Sequence, residues 1–228
     1  WDIDLTKVAE PHKSHFRELG ILQLIYYYGG MTVPNSFICT KNLKTFYEDG
    51  IAWNKPFVCE NINRNTNLLK HTTNKNFAPD LFFMGASKND PVILEFIEYL
   101  KTRNPGSHFT SETEFIGDSS YWCETAIKNQ KMNLLGAELI GIKNNQGKAI
   151  LLENLMEEAF ITFHPNSYGV YIPADEILRR PKYQWFAVLS SEAVLQTNAI
   201  ISKHLLASIS SSEDMYSQDK EIRSVVTI

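Results

Sequence analysis

Leu22–Leu43 reads LQLIYYYGGMTVPNSFICTKNL, a strongly apolar helical stretch that runs into Gly29-Gly30 and then into a short extended segment. Upstream, the helix is expected over 14–28 with Ser14 as N-cap. Its apolar residues Phe16, Leu19, Ile21, Leu22, Leu24 and Ile25 are too many for one stripe, so burial on most sides is expected. Gly29-Gly30 supplies the stop, because glycine enters the left-handed conformation that ends helices without steric cost. A strand is expected over Val33–Cys39. Pro34 early in it donates no ladder hydrogen bond and marks an edge or a bulge. Leu43–Tyr47 reads as a helical turn closed by Asp49-Gly50.

Further along, residues 60–76 (ENINRNTNLLKHTTNKN) are polar and read as a long loop or insertion, followed by a buried strand at Asp80–Ala86. The clearest helix comes next. Asp90 is its N-cap, Pro91 its first residue, and Ile93, Phe96, Ile97 and Leu100 its apolar face. In the second half, Ala137–Ile142 and Lys148–Leu152 are expected to pair as strands across the turn Asn144–Gly147, with further strands at Ala159–Phe163 and Gly169–Ile172 and a turn at His164–Ser167. A long helix is expected over 191–209 and a flexible serine-rich exit after it. The expected organisation is one α/β domain over 1–209 and a tail over 210–228.

With 43% hydrophobic and 21% charged residues in 228, the chain is long enough for a sizeable core. A net charge of −4 gives no general attraction to nucleic acid or to an anionic membrane, and nucleic acid is not expected as a partner. The longest apolar run, Leu19–Tyr28, is too short to span a bilayer. Cys39, Cys59 and Cys123 are widely spaced and odd in number, and the chain has no Asn-x-Ser/Thr sequon. Both features favour a reducing intracellular compartment or a virion over secretion. The chain begins at Trp1 without an initiator Met or a signal-peptide pattern, so a preceding segment is expected.

The helix, Gly-Gly turn and strand of 13–43, with the strand and helix of 80–100, resemble glycosyltransferases of the capsular-polysaccharide and initiating α-mannosyltransferase families. The resemblance covers roughly residues 13–100. It implies a GT-A-like nucleotide-diphospho-sugar transferase fold, a mixed sheet flanked by helices. In those families an Asp-x-Asp metal site follows the Tyr-Gly-Gly; here the two positions are Pro34 and Ser36. Proline offers no ligand and a serine hydroxyl is a poor one for a hard cation, so neither metal nor cofactor is expected. The family places an Asp and an Arg on the preceding helix to hold the nucleotide. The ungapped positions are Glu18 and Ile21, with Arg17 close by. The resemblance also points to His164, before Pro165, on the acceptor side.

Among carboxylates, Asp118 in FIGDSS is a candidate general base or sugar-hydroxyl ligand at the end of an apolar strand, although an Asp before Ser-Ser is more often the N-cap of a helix, here over 121–129. Trp122 belongs to the aromatics that could stack on a sugar, although such residues more often form core. Asp2 and Asp4 spell Asp-x-Asp, and His12, His15 and Glu18 have ligand-like spacing; both sets have plain surface readings. Two functions stay open. One is a degenerate glycosyltransferase-like domain serving as a structural or interaction subunit of a larger assembly, such as a virion or an organellar complex. The other is an active, metal-independent transferase that meets the diphosphate of a nucleotide-sugar with Lys41 and Lys44.

Overall fold

The computed structural model describes residues 5–9, 12–62, 76–103 and 112–218. The fold is mixed α/β, and its contacts divide the chain into two compact units. The first comprises residues 1–35 and 42–139, the second 36–41 and 140–228.

The first unit is built on a four-stranded mixed sheet. Its strands are β1 (Gly30–Met31), β3 (Phe57–Ile62), β4 (Phe77–Ala86) and β5 (Asn133–Leu135), in the order β1-β4-β3-β5. The β1–β4 and β4–β3 pairs are antiparallel and β3–β5 is parallel. Helices α1 (His12–Tyr28), α3 (Pro91–Arg103) and α4 (Glu112–Lys128) supply one continuous core, in which Leu22, Ile25, Ile93, Phe96, Leu100 and Cys123 pack with Val58 and Met84 of the sheet. Side chains alternate along a strand, so Phe57, next to Val58, turns to the other face. There it meets Phe46 of α2 (Leu43–Gly50), at 5.8 Å between ring centroids. Asp90 caps α3 as its sequence position demands, Oδ1 accepting from Val92 N at 2.8 Å and Ile93 N at 3.2 Å. Gly29 and Gly30 both take positive φ (72° and 104°) where α1 ends.

Several expectations need correction. The strand expected over Val33–Cys39 does not join Asp80–Ala86 in one sheet. Of the segment after α1, Gly30–Met31 pairs with β4, whereas Phe37–Cys39 (β2) lies in the second unit. Helix α1 begins at His12, not at Ser14, and is buried along a single face (His15, Leu19, Leu22, Ile25) rather than on most sides. The polar insertion of 60–76 has its first residues in β3, and its centre, 63–75, lies outside the described residues.

In the second unit, β2 pairs antiparallel with β6 (Gly169–Tyr171), Ile38 opposite Val170. Around this ribbon are α5 (Leu152–Met156), α6 (Ala174–Arg179), α7 (Gln184–Ala187), α8 (Ser191–Gln196) and α9 (Ile200–Gln218). Ile38, Leu152, Leu155, Val170, Ile177 and Ile201 are among the buried core. The Asn144–Gly147 turn forms, with Asn144 Oδ1 accepting from Gln146 N and Lys148 N at 2.9 Å. Its flanks are not full strands: the pairing consists of isolated bridges, Lys143 with Ala149 and Asn144 with Phe163.

The helix expected over 191–209 is broken at Thr197, whose backbone is extended (φ −73°, ψ 154°). The break frees Ile200 N to donate to the Glu157 carbonyl at 3.0 Å and turns Ile200 and Ile201 into the core. The expected serine-rich exit is helical as far as Gln218, and residues 219–228 lie outside the described residues. No helix among the described residues is long and apolar enough to cross a membrane.

Candidate functional site

The feature that organises the first unit's candidate site is a bulge in β4. Val58 faces Met84 and the next residue, Cys59, faces Asp80, so Leu81, Phe82 and Phe83 have no opposite number on β3. A bulge leaves backbone groups without ladder partners, and side chains supply them here. Asp80 Oδ1 accepts from Phe82 N at 3.0 Å; beside the bulge, on the β1 edge, Thr32 Oγ1 accepts from Met84 N at 3.1 Å. The second Asp80 oxygen accepts from Asn61 Nδ2 at 2.9 Å.

The bulge, α1 and α4 enclose a cavity of about 40 Å³. Arg17, Glu18, Asp80, Phe82, Ser119 and Ser120 are among its lining. Two of the candidate residues, Arg17 and Glu18, are among this lining and approach each other at 3.6 Å. Small-molecule sites usually measure roughly 300–1,000 Å³, so a nucleotide-sugar does not fit inside this one. Ser119 and Ser120 are 1% and 4% exposed, and their hydroxyls have no hydrogen-bond partner among the described residues. A cavity needs only about 10–15 Å³ to hold a water, which makes water the ligand this space fits. A larger groove of about 280 Å³, lined in part by Glu60, Phe77, Glu124 and Lys128, contains none of the candidate residues.

Asp118 is neither at a strand end nor at a helix start; it lies in the middle of α4. The strand-like look of Phe115-Ile116-Gly117 misled because the buried positions of this helix include small residues, Ser119, Ser120, Cys123 and Ala126, which carry little hydrophobic signal. The Asp118 carboxylate accepts from the Tyr99 hydroxyl at 2.8 Å and lies 3.7 Å from the Arg103 guanidinium. Burial, and then the bond to Asp118, push the Tyr99 hydroxyl pKa up, so Tyr99 stays a donor. Trp122, one turn on, stacks on Phe96 with centroids 4.1 Å apart and planes 11° from parallel.

The two lysines belong to different units. Lys44 pairs with Glu48 one turn along α2, at 3.8 Å. Lys41 Nζ donates to the Pro165 carbonyl at 2.8 Å and stands 5.8 Å from the Tyr168 ring centroid. The structure therefore brings Lys41 to the turn of His164. There, His164 Nδ1 accepts from Asn166 N at 3.2 Å, and the His164 carbonyl accepts from Ser167 N at 2.9 Å.

Of the metal-like spacings, Asp2 and Asp4 lie outside the described residues, and His15 is buried with its ring stacked 4.0 Å from that of Phe115. Among the described residues, no group of three His, Cys, Asp or Glu side chains is placed to hold a metal ion. Sequence reasoning missed Asp80, Asn61 and Thr32. Their only signal was polarity at positions next to or within apolar strands. No protein-family model, curated protein or solved structure matches the chain.

Proposed function

We propose that this chain is a glycosyltransferase-like α/β domain whose donor-site positions serve the fold, so that it works by binding within a larger assembly rather than by transferring sugar. The observation that carries this reading is the course of residues 33–41. In the resembled families the segment after Gly-Gly presents the metal ligands. Here it leaves the four-stranded sheet at Thr32 and continues into the second unit, where Phe37–Cys39 pairs with β6. A segment with Pro34 and Ser36 in place of carboxylates is suited to that connecting task, and it has no charged oxygen for a hard cation.

The remaining candidates support the same view. Asp118 is engaged by Tyr99 and Arg103, Lys41 by Pro165, and Lys44 by Glu48. A general base has to reach substrate, and a carboxylate held between a phenol and a guanidinium is poorly placed to take a proton.

One observation favours the active, metal-independent alternative. Arg17, 3.6 Å from Glu18, lines the cavity with its side chain 61% exposed, so a guanidinium faces solvent where a diphosphate outside the cavity would meet it. Release of UDP or GDP from UDP- and GDP-sugars, with and without manganese, separates the two. The expected result is no release above a heat-killed control. Release that disappears in Arg17→Ala would overturn the non-catalytic reading.

A further inference from the structure

Helix α1 is apolar on two sides, and the first unit uses only one of them. His15, Leu19, Leu22 and Ile25 face the core. At 3.6 residues per turn, Lys13, Arg17, Gly20, Leu24, Tyr27 and Tyr28 fall on the opposite side, all within about 60° of Leu24. Leu24, Tyr27 and Tyr28 are 60%, 59% and 77% exposed. One exposed apolar side chain is ordinary. Three at i, i+3 and i+4 form a contiguous strip, and such strips mark contact surfaces.

The strip is ordered along the helix as well as around it. Cations occupy the first half (Lys13, Arg17), the aliphatic and aromatic groups the second half (Leu24, Tyr27, Tyr28), and Gly20 the midpoint of His12–Tyr28. This arrangement is complementary to itself when reversed. If a second α1 crosses antiparallel at Gly20, Arg17 meets Leu24, and Lys13 meets Tyr27 and Tyr28. The ammonium then lies against phenol rings, and the methylene stems of Lys13 and Arg17 cover apolar surface. A parallel pairing would set Lys13 on Lys13 and Arg17 on Arg17, which repels. Gly20 lets the axes approach towards the short end of the roughly 8–10 Å range of helix packing.

We propose that the outer face of α1 is a two-fold self-association surface, with the α1 of a second copy lying antiparallel across Gly20. The occupant is a second copy rather than a membrane because the cations and the apolar groups are segregated along the helix, not across it. The net charge of −4 also disfavours an anionic surface. An isologous contact requires the same patch to serve both partners, and this patch does so. The proposal does not rest on the function proposed above, although the contact it describes would cover Arg17, the cation of the active alternative.

The test uses the full chain with the exposed Cys39 replaced by serine. Sedimentation equilibrium over a wide concentration range should show the mass rising from 26.1 kDa towards twice that value. Tyr27→Glu combined with Tyr28→Glu should weaken association at least tenfold while circular dichroism stays unchanged. Paired cysteines read the antiparallel register by forming a covalent dimer under mild oxidation. Lys13→Cys alone should not form one, whereas Lys13→Cys mixed with Tyr28→Cys should. A constant 26.1 kDa mass up to several hundred micromolar would overturn the proposal. So would a dimer indifferent to the double Tyr substitution, failure of the mixed Lys13→Cys and Tyr28→Cys proteins to cross-link within a dimer, or flotation with anionic vesicles in place of dimerisation.

Discussion

Asn61 donates from Nδ2 to Asp80 Oδ2 at 2.9 Å, between diagonal neighbours on one face of the β3–β4 ladder. The bond matters because Asp80 also terminates the three-residue bulge by accepting from Phe82 N. Asn61 is itself buried, so losing the carboxylate strands two donors at once. Asp80→Ala is expected to destabilise the protein by about 1–3 kcal/mol, the usual cost of leaving buried donors unsatisfied. Asp80→Asn, which keeps an acceptor, should cost less. Urea denaturation measures both, and equal stability of wild type and the alanine variant would refute the account.

Asp90 offers a pH test. Burial raises its pKa above the ordinary 3.8, and the amides of Val92 and Ile93 only partly oppose that shift. A carboxyl with a raised folded-state pKa binds more protons folded than unfolded. Its contribution therefore declines as pH rises from the unfolded value through the raised one. Asp90→Asn keeps a good N-cap without the charge and should be neutral or stabilising at pH 7, whereas Asp90→Ala should lose about 1 kcal/mol. Thermal melts at pH 4 and 7 should show the Asn variant gaining on wild type as pH rises.

His204 is half-buried and stands edge-on to the Phe163 ring, with centroids 5.0 Å apart. Burial lowers its pKa below 6.5. A histidine held neutral in the fold contributes stability that is complete above the unfolded pKa and is lost as pH falls through the folded one. Stability should therefore drop on acidification below about pH 6.5, and His204→Gln should flatten that dependence. A His204 resonance titrating by NMR at or above the ordinary value would contradict it.

Trp122 stacks face to face on Phe96. If that packing is its role, Trp122→Ala should destabilise the protein by about 2–4 kcal/mol, and Trp122→Phe by under about 1.5 kcal/mol. Chemical denaturation decides. An alanine variant of unchanged stability would return Trp122 to the list of ligand-stacking residues.

Sequence alone determined the elements whose signals are local. The cap and apolar face of α3 follow from Asp90, Pro91 and a 3.6-residue period. The end of α1 follows from two glycines able to take positive φ, and the turns at 144–147 and 164–167 from side chains that bond their own backbone. What tertiary structure decided is where those elements go. The fate of Phe37–Cys39 depended on a partner, β6, some 130 residues away, and pairing at that distance leaves no periodic trace in the strand itself. Helix α4 hid because its buried positions include Ser, Cys and Ala, whose burial is set by close approach to the sheet rather than by hydrophobicity. The break at Thr197 arises because the Glu157 carbonyl and the second unit's core engage Ile200. The site divides in the same way. Arg17 and Glu18 were named through the family resemblance alone, and Asp80, Ser119 and Ser120 joined them through a bulge and a helix packing that no local pattern encodes.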